Sequence, residues 1–406
     1  MMQKKIIVVA LAAVFALPVA ALAETSNVII YGTADASFDM TNNGDVSGGA
    51  SGTSVNKISS NTSKIGFKGE EDLGDGLKAI WQVESEIDLD GTTATGATGA
   101  LGFGGRNTFA GLKNDSWGSL ILGRHDTPYK TSDRRLDLFG DHIADNRALM
   151  GGGMGRGSAD VKGFDKRAAD TVVYNSPVMS GFKVIAGYVA GAENATLSTQ
   201  SKGKILSVAG TYDVAPFYGV LAYQKNNYGT AGIGTVLTAN GATKDTSEKA
   251  WKLGGGYKVD QFAVNAVYEK TNDDFGSAGA ATAANGACTG VAAGGNCYGH
   301  RAFYVSGQYN ITPNDAVKLA YTKANNLQGG NLANTGAKHT TVGYNHKMSA
   351  RTNVYATYTK LNNDIGIDYS LNGEGAATGN VGAAISGVSA RGASPSAFSL
   401  GMMHTF

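Results

Sequence analysis

The sequence predicts an all-β protein, a transmembrane antiparallel β-barrel of about sixteen strands. Three observations lead to this fold class. Apolar and polar residues alternate along many segments, as they do when one strand face meets lipid and the other meets water. Short turns alternate with long segments rich in glycine and alanine. The chain also begins with the pattern of an export signal, and residues 398–406 alternate up to a final aromatic residue, Phe406.

Residues 1–23 have the pattern of a signal peptide. Lys4 and Lys5 precede an apolar run at residues 6–16, and small residues follow at 21–23. The alternative, a retained helical anchor, is disfavoured because the run is shorter than the ~20 residues of a spanning helix. We therefore expect a mature chain of residues 24–406 that forms one barrel domain.

Composition is compatible with a barrel and gives no evidence for a nucleic-acid or acidic partner. The 406 residues include 58 glycines but only 6 prolines. The formal charge of +1 becomes −1 when the two lysines of the signal peptide are removed. Bulk charge therefore gives no reason to expect nucleic acid or an acidic partner.

The predicted strands carry too much charge on one face for a soluble core. In the first strand Val28, Ile30 and Phe38 share one face, whereas Asp35 and Asp39 share the other. Buried charges must be paired, but a water-filled lumen can accept them while the apolar face meets lipid. A soluble sandwich would not need such faces. A β-helix would show a short fixed repeat, and none is present.

The connections between strands alternate in length. The short ones lie at residues 72–76, 114–117, 176–181, 214–217, 259–261, 311–315 and 347–352. The long ones lie at residues 41–62, 90–105, 127–167, 191–203, 226–248, 271–299, 324–337 and 362–394. Bacterial barrels have an even number of strands, with short periplasmic turns and long extracellular loops. We therefore expect both termini on the periplasmic side.

The chain has two cysteines, Cys288 and Cys297, in one glycine-rich loop. Export takes them to an oxidising compartment, where a disulfide within the loop is the expected state. Neither C-x-x-C spacing nor clustered histidines accompany them, so a metal or redox role is the weaker reading.

Three groups of motifs carry a family resemblance. They are S-K-I-G-F-K-G-E at 63–70 with D-L-G at 72–74, R-N-T-F-A-G-L at 106–112 with W-G-S-L at 117–120, and Y-N-S-P at 174–177 with G-F at 181–182. In this order they resemble the general trimeric porins of Gram-negative bacteria, in particular the betaproteobacterial and neisserial branch. The resemblance runs along the whole chain. It implies a 16-stranded barrel in the outer membrane, three barrels to an assembly, and a third long loop folded into the pore.

The resemblance also implies a function and a set of site residues. The function is passive diffusion of ions and small hydrophilic solutes, with weak charge selectivity where the loop at residues 127–167 narrows the pore. The candidate loop residues are Asp133, Arg134, Arg135, Asp137, Asp141, Asp145 and Arg147. The candidate wall residues are the bases Lys64, Arg106 and Arg124 together with Thr33 and Tyr174. Phe406 is a candidate signal for the machinery that assembles barrels.

Acidic loop groups that face basic wall groups would set up a transverse field across a narrow aqueous gap. The acids and bases of the whole loop segment cancel, so the wall bases favour a weak preference for anions. The acids are Asp133, Asp137, Asp141, Asp145, Asp160 and Asp165, and the bases are Lys130, Arg134, Arg135, Arg147, Arg156 and Lys162. A substrate-selective channel of the same fold is the alternative, since Tyr129, Phe139 and Phe164 could line a path for solutes. No catalytic motif, metal-ligand spacing or cofactor fingerprint is present, so we predict neither an enzyme nor a cofactor.

Overall fold

The computed structural model describes residues 27–45, 51–91, 103–151, 163–190, 203–227, 247–274, 291, 295–329, 333–371 and 391–406. The predicted signal peptide at residues 1–23 lies outside the described residues and stays a prediction.

Alternating sequence becomes β-strand along most of the described chain. The strands are β1 Asn27–Asn42, β2 Ser54–Ser60, β3 Lys64–Gly74, β4 Leu77–Glu86, β5 Thr108–Asn114, β6 Gly118–Asp126, β7 Arg167–Asn175, β8 Phe182–Val189, β9 Lys204–Val214, β10 Phe217–Asn227, β11 Ser247–Val259, β12 Phe262–Asp273, β13 Arg301–Asn310, β14 Asp315–Ala324, β15 Ala337–Lys347, β16 Thr352–Asn363 and β17 Ser396–Thr405. One α-helix, α1 Pro128–Ser132, and two 3-10 turns, Arg134–Leu136 and Asn146–Ala148, lie between β6 and β7. No helix in the described ranges is long and apolar enough to cross a membrane.

All the strands belong to one antiparallel sheet that closes on itself. Each strand from β3 onward pairs with the next, and β17 pairs with β1 from Asn42↔Ser396 to Thr33↔Thr405. Closure leaves no unpaired edge among the described strands, and a strand structure in lipid requires this because hydrocarbon offers no hydrogen-bond partners. The predicted membrane barrel is confirmed.

The second strand of the barrel is broken into two pieces. β2 pairs with residues 36–42 of β1, and β3 pairs with residues 27–33 of β1. The two segments therefore occupy one position in the sheet, and the seventeen segments form a barrel of sixteen strands. Thr62 has a left-handed φ of 55°, and the side chain of Asn61 donates to Ser37 Oγ and Tyr355 Oη at the break. The prediction of a loop throughout residues 41–62 was therefore wrong for residues 54–60, which continue the sheet.

The connections follow the predicted alternation of long and short. The short turns lie at one rim of the barrel, and the strand ends that lead into the long connections lie at the other rim. Within each strand the exposed apolar side chains, such as Leu221, Leu253 and Leu319, point outward. Their immediate neighbours point into the lumen. The strands therefore set up a lipid-facing outer surface and a polar inner wall on which the site is built.

Candidate pore and constriction loop

The described parts of the connection between β6 and β7, residues 127–151 and 163–166, run inside the barrel and are here called the inward loop. Tyr129 in α1 is fully buried. Its backbone N–H donates to Ser207 Oγ on β9 over 2.9 Å, and its hydroxyl donates to Glu269 Oε2 on β12 over 2.7 Å. Glu269 also accepts the N–H of Gly151 at 2.9 Å. One wall carboxylate thus holds two distant points of the loop.

The apolar side of the inward loop packs against the wall where glycines leave room. A Cβ on Gly254 or Gly256 of β11 would lie 2.7 or 2.9 Å from Leu136, and a Cβ on Gly343 of β15 would lie 2.6 Å from Phe139. The buried cluster inside the barrel includes Leu136, Phe139, Ile143, Leu149, Met150, Val220, Val267, Tyr304 and Leu361. The sequence predicted a charged loop in a polar lumen. We did not predict this apolar contact between the loop and the wall from the sequence. The small residues on the inward faces of β11 to β15, glycine and alanine, were the available sign that another segment packs there.

Most of the predicted loop charges form a network within the loop itself. Asp145 is buried and accepts Arg134 Nη2 and Arg147 Nη2, each over 2.6 Å. Burial alone would raise the pKa of Asp145, but the two guanidinium groups hold it well below its usual range. Asp137 accepts the N–H groups of Phe139 and Asn146, and burial together with the Asp145 charge raises the pKa of Asp137. These charged groups bind one another and stabilise the fold of the loop, and they do not face the aqueous lumen.

Two predicted loop residues do reach solvent. The Asp141 side chain is 47% exposed while its carboxylate binds Arg147 Nη2 at 2.7 Å. The Arg135 guanidinium is 53% exposed and binds Asp213 on β9 at 2.5 Å. These side chains are the candidates for charges that a passing solute would meet on the loop.

A buried lysine on the wall ties the start of the inward loop to its end. Lys252 Nζ on β11 lies 2.7 Å from Asp133 Oδ1, 3.8 Å from Asp165 Oδ1 and 4.0 Å from the centroid of the Tyr129 ring. Asp133 was predicted, whereas Lys252 and Glu269 were not named. Strand alternation was the available signal, because Lys252 lies between the outward Trp251 and Leu253.

The tip of the inward loop reaches across the lumen to β1 and β16. His142 Nε2 lies 3.0 Å from Asp35 Oδ2, and its ring meets the edge of the Tyr355 ring with centroids 4.8 Å apart. The Tyr355 hydroxyl donates to the other oxygen of Asp35 over 2.7 Å. Burial alone would lower the pKa of His142, but the hydrogen bond and charge of Asp35 raise it above its ordinary value. This contact fixes the inward loop to β1, the strand whose pairing with β17 closes the barrel.

The structure brings two of the three predicted wall bases together at one carboxylate. Arg106 Nε lies 2.7 Å and Lys64 Nζ 3.6 Å from Glu84, which also accepts the Tyr31 hydroxyl. Thr33 pairs in register with Lys64 and so lies beside this group. The Arg106 guanidinium is only 8% exposed, whereas Lys64 is 30% exposed. Arg106 is therefore paired and buried, and Lys64 is the base of this pair that water reaches.

The prediction that Arg124 lines the pore was wrong. Arg124 pairs in register with Thr108 and shares the face of the outward Leu122. Its Nε donates to the Gly105 carbonyl over 2.8 Å. Arg106 points inward despite its even spacing from Thr108, because the chain bends at residues 106–107 before β5 begins. Strict alternation would place Arg106 and Thr108 on the same strand face, and the bend between them places them on opposite faces.

Tyr174 is also on the outer surface and not in the lumen. It pairs with Leu120, which is exposed on the outer face, and alternates with the buried Val173. Its hydroxyl donates to the Trp117 carbonyl at the turn rim over 2.8 Å. Tyr174 thus belongs to the lipid interface, where tyrosine combines an apolar ring with a polar tip.

The aromatic residues considered for a solute path are buried by packing. Tyr129, Phe139 and Phe164 are each at most 4% exposed. They anchor the inward loop, which removes the sequence-based support for an aromatic path.

Cys297 is buried and is not a free thiol. Cys288 lies outside the described residues, so the pairing of Cys288 with Cys297 stays a prediction.

The inward loop covers one side of the wall more fully than the other. Inward side chains on β11, β12 and β15, such as Lys252, Glu269 and Thr341, are almost fully buried under it. Inward side chains on β3 and β4, such as Lys64 and Gln82, keep part of their surface exposed. Of the residues that the structure describes, those on the wall along β3 and β4 therefore keep more of their inward surface exposed than those on β11, β12 and β15.

A closed barrel with an apolar outer belt, charged inner faces and a loop folded into its lumen defines the class of outer-membrane barrel channels. The family model of the Gram-negative porins matches residues 9–366, and the chain belongs to this family. Membership places it in the outer membrane of a Gram-negative bacterium, in a family of channels rather than enzymes.

Individual relatives agree with this assignment. The chain is 42% identical over 161 residues to the major outer membrane protein P.IB of Neisseria meningitidis serogroup B, covering 37% of this chain and 44% of that protein. It is 28% identical over 228 residues to an outer membrane porin protein of Bordetella pertussis, covering 54% of each. The chain thus spans less than half the length of the neisserial relative that it matches.

Its fold is similar to that of the anion-selective porin from Comamonas acidovorans, with a TM-score of 0.68 at 22% identity, over 94% of this chain and 100% of that one.

Proposed function

We propose that this protein is a passive diffusion channel for ions and small hydrophilic solutes across the outer membrane. The observation that carries the proposal is the one-sided docking of the inward loop. The loop is fixed to β9 through β16 by its apolar cluster and by Lys252 and Glu269. The wall at β3 and β4 keeps side chains such as Lys64 and Gln82 partly exposed. Water can therefore fill a path between the loop and that wall, while the loop narrows it.

The charges along this path favour a weak preference for anions. Lys64 is the water-accessible base beside the paired Arg106 and Glu84. Lys68 and Lys113 also point inward from β3 and β5 and are exposed. Like-signed charges along a water-filled constriction attract counter-ions and raise their local concentration.

Purified protein in planar bilayers tests both parts of this proposal. We expect stepwise, salt-dependent currents, and a reversal potential in a salt gradient that indicates weak anion preference. Lys64→Glu should shift that potential toward cation preference. The matched control Lys204→Glu makes the same charge change on an outward face and should leave it in place. Folded barrels without current would contradict the channel, and equal shifts in both variants would contradict the role of Lys64.

A solute-swelling assay separates general diffusion from substrate selectivity. Liposomes that contain the protein should admit neutral sugars and amino acids in order of size. A single solute that enters far faster than others of its size would instead favour the substrate-selective channel.

We also propose that three barrels associate through the face around β1. Gly32, Ala34 and Ala36 lie on the outward face of β1, and Ala36 is in register with Met402 on β17. Small side chains give a surface that a neighbouring barrel can approach closely. Native mass spectrometry in mild detergent should give a trimer, and Ala36→Trp should reduce it to monomer. The control Ala266→Trp, on the outward face of β12, should remain trimeric. A monomeric wild-type protein would contradict the proposal.

A further inference from the structure

A small polar pocket lies between the inward loop and the wall formed by β14 through β17. We call it the loop pocket, and its volume is about 40 Å³. The inward loop contributes Leu138, Phe139 and His142, and each of the four strands contributes at least one side chain. A polar cavity needs about 10–15 Å³ to hold a water molecule. The loop pocket therefore has room for one small ion with a water beside it, and not for a sugar or a nucleotide.

The wall side of the loop pocket presents hydrogen-bond donors. Lys318, Asn345 and Asn353 line it half-buried, and Thr357 lines it with only 6% of its surface exposed. Lys318 Nζ donates to the Leu138 carbonyl over 3.3 Å, which leaves further N–H donors of the ammonium group. Within the described part of the chain, the side chains of Asn345, Asn353 and Thr357 have no hydrogen-bond partner. Because buried polar groups are normally hydrogen-bonded, these donors suit an acceptor from outside the chain.

The charge of Lys318 is not paired by any carboxylate of the described residues. Asp137 is the carboxylate whose charge acts on Lys318, but the two do not form an ion pair. The oxygens of Asp137 instead accept two backbone N–H groups and a tyrosine hydroxyl. The other titratable side chains of the pocket, His142 and Tyr355, both bind Asp35. A charge taken partly out of water is costly unless it is paired, so a bound anion would compensate Lys318.

We propose that the loop pocket binds a small inorganic anion, chloride, through the Lys318 ammonium, the amides of Asn345 and Asn353 and the Thr357 hydroxyl. The donors belong to three neighbouring strands, and Lys318 also binds the Leu138 carbonyl of the inward loop. The anion thereby stabilises the packed position of the loop on the wall. The argument depends on the pocket alone and does not require that the barrel conducts.

Bromide identifies the site directly, because it replaces chloride and scatters X-rays anomalously. Crystals of full-length protein are grown in sodium bromide, and anomalous difference maps are calculated at the bromine edge. We expect a peak in the loop pocket within hydrogen-bond distance of Lys318 Nζ and of at least one of the two amides. A pocket without a bromide peak would overturn the proposal.

Thermal unfolding measures whether the anion stabilises the protein. Full-length protein in zwitterionic detergent is compared in sodium chloride and in sodium gluconate of equal ionic strength, since gluconate is too large for the loop pocket. We expect chloride to raise the unfolding temperature of wild-type protein by on the order of 2 °C, because a ligand that binds only the folded state stabilises it. Lys318→Met removes the ammonium group, keeps a side chain of similar length, and should abolish the difference between the two salts.

Lys183→Met is the matched control for Lys318→Met. Lys183 is also a half-buried lysine that points into the lumen, since it pairs with Thr211 on β9 and alternates with the exposed Phe182 and Val184 on β8. This variant should keep the wild-type difference between chloride and gluconate.

Heat-modifiable migration on gels reports that each variant has formed a barrel. If Lys318→Met does not assemble, the double variant Asn345→Leu, Asn353→Leu provides the same comparison and should reduce the chloride effect. Equal unfolding temperatures of wild-type protein in the two salts would overturn the proposal. A chloride effect of wild-type size in Lys318→Met would do so as well, because the anion would then act elsewhere.

Discussion

His142 shows how one residue of the inward loop depends on partners far away in sequence. Its imidazole meets Asp35 on β1 and Tyr355 on β16, and these three side chains join the loop to both sides of the barrel closure. The sequence placed Asp35 on an inward face correctly. It gave no sign that His142 would be the partner, because 107 positions separate the two residues.

The raised pKa of His142 predicts a pH-dependent contribution to stability. A histidine whose folded pKa exceeds its unfolded value contributes stability that is fully present below the unfolded pKa. That contribution is lost as pH rises through the folded pKa. We expect the stability advantage of wild-type protein over His142→Gln to shrink across this interval, because Asp35 raises the pKa of His142. Thermal unfolding in detergent, followed by circular dichroism from acidic to alkaline pH, measures it.

The Asp35→Asn background provides the control for this prediction. Without the carboxylate, His142→Gln should have an effect that varies little with pH. An advantage of constant size at every pH in the wild-type background would mean that the Asp35 contact does not set the charge of His142.

At the scale of elements, the inward loop is positioned by shape as much as by charge. Glycines on β11 and β15 leave hollows that Leu136 and Phe139 fill, and Lys252 holds Asp133 nearby. Buried ion pairs alone are weak evidence for stability because desolvation offsets their attraction. The apolar contacts supply the non-directional part of the binding, and the ion pairs select one position of the loop on the wall.

Gly254→Val should push the inward loop away from β11. The added side chain would meet Leu136, Val220 and Val267, and such overpacking costs about 1 to 3 kcal/mol. Because displacement away from β11 moves the loop into the lumen, we expect lower single-channel conductance together with a lower unfolding temperature.

Gly210→Val is the matched control for this change. Gly210 lies on β9, and a Cβ there would have no neighbour within 4 Å. Conductance should stay at the wild-type value. An equal fall in both variants would mean that strand glycines matter for the barrel itself and not for docking of the loop.

At the scale of the whole molecule, closure of the barrel continues to Phe406. Its backbone N–H donates to the Gly32 carbonyl and its carbonyl accepts the Gly32 N–H, at 3.1 and 2.9 Å. The Phe406 ring covers the outward face of Gly32, where a Cβ would lie 2.3 Å from the ring. The outward position predicted for Phe406 is confirmed, while its role as an assembly signal stays a prediction.

Phe406→Ala should lower the yield of assembled barrels several-fold and leave the conductance of the remaining channels unchanged. The ring lies outside the lumen, so its loss cannot alter the aqueous path directly. Quantification of heat-modifiable barrel in outer-membrane fractions, with bilayer recordings of the purified remainder, measures both effects. Phe398→Ala on the same strand face is the control, and an equal loss there would leave Phe406 with a packing role only.

The sequence by itself determined the closed barrel, its approximate number of strands, the alternation of short turns with long connections and the inward positions of Lys64 and Thr33. These features follow from period-two alternation and turn composition, which are local properties of the chain. Only the tertiary structure decided that Arg106 is paired with Glu84, that Arg124 and Tyr174 face outward, and that Lys252 holds both ends of the inward loop. A bend or bulge of one residue reverses the parity of a strand. The ion-pair partner of a charge in the lumen depends on where the inward loop packs against the wall. The alternation of neighbouring residues specifies neither the position of a bulge nor the position of the packed loop.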